Sequence, residues 1–566
     1  MTERAGGEVP LEMSGTYNNG LAWLRSFEEK NGRPLRVLHL GNIAANAYLN
    51  AKFLRSVGVE ADVVSRDYTH VMASPEWEDV ELFHGHGDDF DPVFDKRDVK
   101  DFEYPEWFIS GPLPVCSEYI KLRYNSNQLI FLKYHLQKWI AAGVLKFWRI
   151  MLRLLRVKPI WAKEASHLLM LGVCHPGILL TKIWSKVIRI AVGKISPYLS
   201  SGTRDKIARV WALVPRRRKS ESADYQKYIK FVQMFEECFP GRQAPKPSDI
   251  VPFMATTHMF SEMFKPYDIV QCYGTEPIHA LLAEKRPYVT FEHGTLRDFT
   301  MGDNPYHQLT ALAYRKADHT FITNGDCIDY ADKLGITNYS AALHPINVDQ
   351  HRKDYSQDVK NIRDEIGADV VLFCPARHDW DVKGTDMFIR ALPLIKQRVA
   401  GRVRVLMANW GADIERSKQL LDVLKCTEDV IWKGTMCRIT MIKYILASDV
   451  VFDQMVLPAF GSTVPQTLAA GVPVVSSYRP KEMAWLFPVP APVLSAETVK
   501  DIAASVVQAL QPEWRAEFQD KAREWIDNYH HSTKVIENHL KVYQDVLIST
   551  KKGGAQPALK LHTVED

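Results

Sequence analysis

The stretch CPARHDWDVKGTDMFIRAL, Cys374 to Leu392, ends an apolar run with Arg377 and, after five intervening residues, sets Lys383 and Gly384 ahead of an amphipathic helix. A planar guanidinium offers paired hydrogen bonds and a mobile ammonium adds a point charge, so together they offset the charge of a diphosphate without a metal. Open α/β sheets bind ligands at the C-terminal ends of their strands, which is where Arg377 falls. Taken alone, the same residues also read as a solvated polar loop.

A second stretch, DVVFDQMVLPAFGSTVPQTLAAGVPVV, runs from strand to loop to helix to strand. Ser462 suits an N-cap, Pro465 is tolerated in a first turn, and Gly471 suits a C-terminal cap. Exposed N–H groups at that helix start would face an anion, which adds Phe460, Gly461, Ser462 and Thr463 to the diphosphate candidates. Gln466 lies one turn in, and side chains lean toward the helix N-terminus, so it would reach a sugar hydroxyl beside the phosphates.

These two motifs, in this order and about eighty residues apart, resemble the donor half of GT-B glycosyltransferases of the retaining family 4 type. The resemblance covers most of residues 265 to 547 and, more weakly, 34 to 70. It implies that Arg377 and Lys383 hold the donor diphosphate and that the residue at 466 accepts hydrogen bonds from the nucleoside ribose. In the glutamate-bearing element of that family, Pro458 stands at the first glutamate and Gln466 at the second. Asp453, at the end of its strand, either supplies a carboxylate near the donor sugar or serves a turn.

In YVTFEHGTLRDF, His293 follows a β-rich run and precedes a glycine, matching the family histidine that faces the donor sugar. As a neutral imidazole it would bond donor hydroxyls or contact the acceptor; the alternative is a satisfied core histidine. Glu292, and Glu276 in YGTEP, are further candidates for acceptor contacts, and Gly41 and Asn42 in the first strand-to-helix turn would leave backbone room for a ligand. The resemblance implies sugar transfer from a nucleotide-diphosphate sugar to a hydroxyl with retention, with no cofactor and no metal. An epimerase or hydrolase on the same scaffold, and a binding subunit that has lost the chemistry, are the alternatives. DWD (Asp379 to Asp381) and HGHGDD (His84 to Asp89) read as solvent-facing loops.

Strand and helix signals alternate in two blocks, with strands expected at Arg36 to Leu40, Glu60 to Ser65, Val370 to Cys374, Val403 to Met407, Val430 to Trp432, Val450 to Phe452 and Val472 to Ser476, and a first helix from Ala44 to Ser56. The fold class is α/β: two Rossmann-like parallel-sheet domains of the GT-B kind facing across a cleft, with an inserted basic helical region. Residues 1–120 with 248–346 form the acceptor domain, 121–247 the insertion, 347–512 the donor domain, 513–548 a C-terminal helix and 549–566 a tail, with a hinge near Asn347 to Asp354.

The net charge of +4 conceals an asymmetry: from Lys121 to Lys219 about 21 basic residues face two acids, Glu164 and Asp205. On a helix Lys138, Lys146, Arg149, Arg153 and Arg156 fall within about 80° of arc, with Lys182, Lys186 and Arg189 repeating the pattern. That composition, with Trp139, Trp148, Trp161 and Trp184, suits an anionic membrane surface; an ordinary helical subdomain with a wet cationic face is the alternative. Nucleic acid is not implied, since no recognised module accompanies the charge. Scattered cysteines, a polar start and no long apolar run lead to the expectation of a cytoplasmic protein peripheral to the inner membrane face, with a lipid-linked or glycan acceptor. Oligomeric state stays open.

Overall fold

Short apolar runs bounded by glycine or polar turns become central strands when helices cover both faces of the sheet. In the computed structural model, which describes residues 15–66, 71–81, 85–88, 91–94, 99, 101–124, 223–342, 344–457 and 460–551, such runs build two sheets. The strands in chain order are β1 (Arg36–Leu40), β2 (Glu60–Ser65), β3 (Gly85–Asp88), β4 (Asp91–Phe94), β5 (Phe108–Ser110), β6 (Ile269–Tyr273), β7 (Tyr288–Phe291), β8 (His319–Ile322), β9 (Tyr339–Ala341), β10 (Val370–Cys374), β11 (Val403–Ala408), β12 (Val430–Lys433), β13 (Val450–Phe452), β14 (Val474–Ser476) and β15 (Leu494–Ser495).

The first lobe is a seven-stranded sheet of order β5-β2-β1-β6-β7-β8-β9, and the second a six-stranded sheet of order β12-β11-β10-β13-β14-β15. Every pairing within both is parallel. The strand order reverses between β1 and β6 in one sheet and between β10 and β13 in the other, and such switch points open a crevice at the strand C-termini. Two parallel α/β domains are thus the architecture, as expected.

Local departures from expectation each have a physical cause. The helix after β1 starts at Asn46, not Ala44, because Ala44 and Ala45 are left-handed (φ 48° and 60°), and Asn42 Oδ1 accepts from Tyr48 N at 3.1 Å. Within the stretch read as a loop at HGHGDD, residues 85–88 form β3, which pairs antiparallel with β4. The segment expected as a hinge folds into the helix Val348–His351, whose Val348, Gln350 and His351 are buried. Within the stretch read as inserted, the helix Ala223–Cys238 buries Phe231 and Phe235 among Leu281, Leu309 and Leu312 of the first lobe. Lys138, Lys146, Arg149, Arg153, Arg156, Lys182, Lys186 and Arg189, and Pro458, lie outside the described residues. Among the described residues no helix is long and apolar enough to cross a membrane.

The expected C-terminal helix is two helices, Pro512–Tyr529 and Ser532–Lys551, parted where buried His530 turns its Nδ1 to the His344 carbonyl at 3.0 Å. The second of them packs on the first lobe, with Val535, Ile536, Leu540 and Tyr543 in the same core as β1, β2 and β6. Gly20 makes room for it: a Cβ there would lie 3.1 Å from Leu540 Cδ1. Beneath the contact, Tyr273 Oη meets Gln271 Nε2 at 2.8 Å, Asn50 Nδ2 at 3.0 Å and His39 Nδ1 at 2.8 Å, and Tyr543 donates to Gln271 Oε1 at 2.7 Å. Tyr543→Phe would strand that buried oxygen and lower stability by about 1–3 kcal/mol, read as a shifted midpoint in urea unfolding.

Candidate functional site

The loop after β10 is shaped by its own polar residues. Asp379 caps the helical turn Trp380–Lys383, its Oδ1 accepting from Val382 N at 3.1 Å, and its Oδ2 lies 3.0 Å from Arg377 Nη2. The aspartate read as solvent-facing is therefore a cap and the partner of Arg377. Trp380 is pinned by Nε1 donating to Ser417 Oγ at 2.9 Å, and Arg416 lies 4.1 Å over its ring. Gly384 takes the left-handed conformation (φ 63°) that ends the turn, where a Cβ would come within 2.8 Å of Val456 Cγ2. That close approach sets Lys383 against the loop after β13: its Nζ donates to Gln454 Oε1 at 2.6 Å and its carbonyl accepts from Met455 N at 2.8 Å.

Asp453, at the end of β13, is 3% exposed and accepts from Gly461 N at 3.2 Å. Burial raises its pKa, while Lys383 and the N–H groups of Gly461 and Gln454 pull it back. A Cβ at 461 would lie 2.8 Å from Asp453 Oδ2, so a larger residue there would displace that carboxylate. The helix Thr463–Ala469 follows, but Ser462 is already helical (φ −64°, ψ −17°) and its side chain makes no capping bond, contrary to the expected N-cap role. Phe460 is not at the ligand side; its ring stacks on Tyr478 at 5.2 Å inside the second lobe.

Arg438, which no motif marked, opens the helix Arg438–Leu446 and is 8% exposed. Its Nη2 lies 2.8 Å from Oε1 of Glu78, a first-lobe residue that is 2% exposed, and its Nη1 donates to Gln466 Oε1. The Gln466 oxygen is thus committed to the protein. Lys443, one turn on, pairs with Glu81 at 2.6 Å, so this helix carries a double ionic contact between the lobes. Arg377, Lys383, Arg438, Asp453, Gly461, Ser462 and Thr463 line a pocket of about 180 Å³, closed on the first-lobe side by Met72 and Trp77. Among the described residues no group of three or more His, Cys, Asp or Glu side chains is placed to hold a metal ion.

The first-lobe candidates are largely taken up by the fold. Space beside Gly41 (φ 88°) is filled by Glu276, whose Cγ would lie 3.0 Å from a Cβ, and Asn42 donates to the Ala73 carbonyl at 2.7 Å. Glu276 itself pairs with Arg66 at 3.1 Å. Glu292 is fully buried, accepting from the Gly294 and Thr323 amides, so it supports the turn that carries His293 instead of facing an acceptor. His293 stacks on Tyr273 at 5.8 Å, and its buried Nε2 has no partner among the described residues. Burial, with His344 nearby, pushes its pKa down to about 3, so the ring is neutral near pH 7.

Residues 369–511 match the family model described as glycosyl transferases group 1. No curated protein matches the chain. Solved structures with a similar trace include Anabaena Alr3699/HepE in complex with UDP, at 15% identity, covering 53% of this chain and 82% of that one with a TM-score of 0.41. Sucrose-phosphate synthase from Thermosynechococcus elongatus is 13% identical, covering 55% and 82% with a TM-score of 0.41. A glycosyltransferase from Rickettsia africae ESF-5 is 14% identical, covering 57% and 93% with a TM-score of 0.41. At these identities and scores, no residue role or substrate transfers to this chain.

Burial raises the Glu292 pKa to about 7, against the opposing pull of Arg297. Between its ordinary range and pH 7 the folded chain keeps a proton that the unfolded chain has released, so this group's contribution to stability falls as pH rises through that window. Replacing the carboxyl in Glu292→Gln is expected to flatten the decline, measured as unfolding free energy from pH 4.5 to 7.5.

Proposed function

We propose that this chain is a metal-independent glycosyltransferase that moves a sugar from a nucleotide-diphosphate donor to a hydroxyl, with retention of configuration. The observation that carries this reading is the convergence of Arg377, Lys383 and the Gly461–Thr463 turn on one pocket, within the segment that matches group 1 glycosyl transferases. As the sugar leaves, negative charge builds on the departing nucleoside diphosphate; Arg377 and Lys383 stabilise it where it develops. For this Arg377 exchanges its contact with Asp379 for phosphate oxygens, and Lys383 does the same with Gln454. Asp453, beside Lys383, places a buried carboxylate next to the reacting end of the donor. His293, held neutral, offers Nε2 to a sugar hydroxyl across the cleft.

The acceptor in this reading is lipid-linked or a glycan, met at the inner face of a membrane by a peripherally bound enzyme. Support comes from the sequence between Lys121 and Lys219, where basic residues and tryptophans accumulate and acids are nearly absent. Each cation close to an anionic leaflet contributes about 1 kcal/mol, so a cluster binds appreciably and is weakened by salt.

Thermal-shift titration against nucleotide sugars tests the donor site. One donor is expected to stabilise the chain, and Arg377→Ala and Lys383→Ala each to weaken it by about 10- to 100-fold, the range for one charged hydrogen bond. No stabilisation by any donor, or unchanged affinity in both variants, would remove the proposal. For the membrane, the full chain is expected to sediment with phosphatidylserine vesicles in low salt, and the combined glutamate substitutions of Lys138, Lys146, Arg149 and Arg153 to release it; equal sedimentation would count against membrane binding.

A further inference from the structure

Among the described residues, Met72 and Trp77 are first-lobe members of a pocket lining that otherwise belongs to the second lobe. They pack with Cys437 and Ile439, where the loop after β12 enters the helix Arg438–Leu446. Trp77 is 6% exposed and sits in the short helix Pro75–Asp79. Its neighbour Glu78 pairs with Arg438 at 2.8 Å, and Glu81, just past the helix, pairs with Lys443 at 2.6 Å. The segment that carries Trp77 is therefore clasped to the second lobe by two ion pairs.

The pocket is polarised along its length. Arg377 and Lys383 follow β10 and the Gly461–Thr463 turn follows β13, so the groups suited to an anion gather at one end. Met436 follows β12 and Met441 the loop beyond it, beside Met72 and Trp77. In the sheet, β12 is two positions from β10, roughly 10 Å at the usual strand spacing. The cation at this far end, Arg438, is already engaged by Glu78 and Gln466. Indole and thioether groups both favour aromatic rings. A ligand that fills the pocket thus turns its anion toward β10 and a flat ring toward Trp77, as a nucleoside diphosphate can.

We propose that Trp77 is a specificity-determining residue of the donor site, closing from the first lobe on the base of the nucleotide, and that Glu81 and Lys443 are positioning residues that hold its segment there. The inference rests on the reading of the pocket as a nucleotide site. The phosphate end is complete within the second lobe, whereas the base end is complete only when the first lobe is clasped to it. Affinity for the base is in this way tied to contact between the lobes.

Calorimetric titration of the full chain with inorganic pyrophosphate, and with UDP, GDP and ADP, separates the two ends. Trp77→Ala is expected to weaken the best-bound nucleoside diphosphate by about 10- to 100-fold, the range for losing an aromatic ring against a base, and to leave pyrophosphate within about twofold. Trp77→Phe, which keeps a ring, should restore most of that loss. Glu81→Lys, outside the pocket lining, sets a second cation against Lys443 and should cause a selective loss of about fivefold. Should Trp77→Ala fail to fold, Met72→Ala, at a half-buried position on the same wall, must show the selective loss. Nucleoside diphosphate affinity unchanged in Trp77→Ala overturns the inference, as does an equal loss for pyrophosphate, which marks a merely structural role. A selective loss in Trp77→Ala with none in Glu81→Lys overturns the positioning role. If wild type binds neither pyrophosphate nor any nucleotide, the nucleotide-site reading falls and this inference falls with it.

Discussion

Parallel strands cannot be joined by tight turns; each must be followed by a crossover that carries the chain back to the starting edge. Every loop that leaves a strand's C-terminus therefore gathers on one side of its sheet. In the first lobe this brings Gly41, Glu276 and His293 to one edge, after β1, β6 and β7; in the second it brings Arg377, Thr435 and Asp453 together after β10, β12 and β13. Residues separated by nearly eighty positions, such as Arg377 and Asp453, become neighbours because β10 and β13 pair side by side at the point where strand order reverses. The pocket is a consequence of that pairing before it is a consequence of any particular side chain.

The cations at this edge are not left bare. Arg377 rests on Asp379, Lys383 on Gln454, and Arg438 on Glu78, three partners of different strength. The first is a partly exposed pair, worth little and readily exchanged; the second is a neutral amide, whose displacement leaves no charge unpaired; the third is nearly buried and expensive to break. A ligand entering the pocket can therefore take over Arg377 and Lys383 far more easily than Arg438. The residues flanking Arg377 explain why the loop holds its shape meanwhile, since Asp379 caps it and Trp380 anchors it to Ser417.

Legibility followed sequence distance. β1, β2, β10 and β13 begin and end where their apolar runs do, because a strand buried on both faces needs nothing beyond its own composition. Arg377 and Lys383 were visible because both flank one short loop. Arg438 was not: its meaning lies in Glu78, 360 positions away, and in a glutamine on another helix. Gly41, Asn42 and Glu292 misled for the same reason, since the groups that occupy them, Glu276, Ala73 and Thr323, come from other elements. The division of the last helix at His530 depends on a carbonyl at His344, which no periodicity can announce.

The helix Ser532–Lys551 fills the core of the lobe that holds β1, although the second lobe is threaded between them. During synthesis the first sheet can form early, yet its apolar face over Tyr273 and Phe291 stays open to water until that helix has been made. The second lobe has its strands from β10 to β15 in one uninterrupted stretch and reaches completion sooner. Order of maturation thus runs against order of translation: the domain begun first is sealed last.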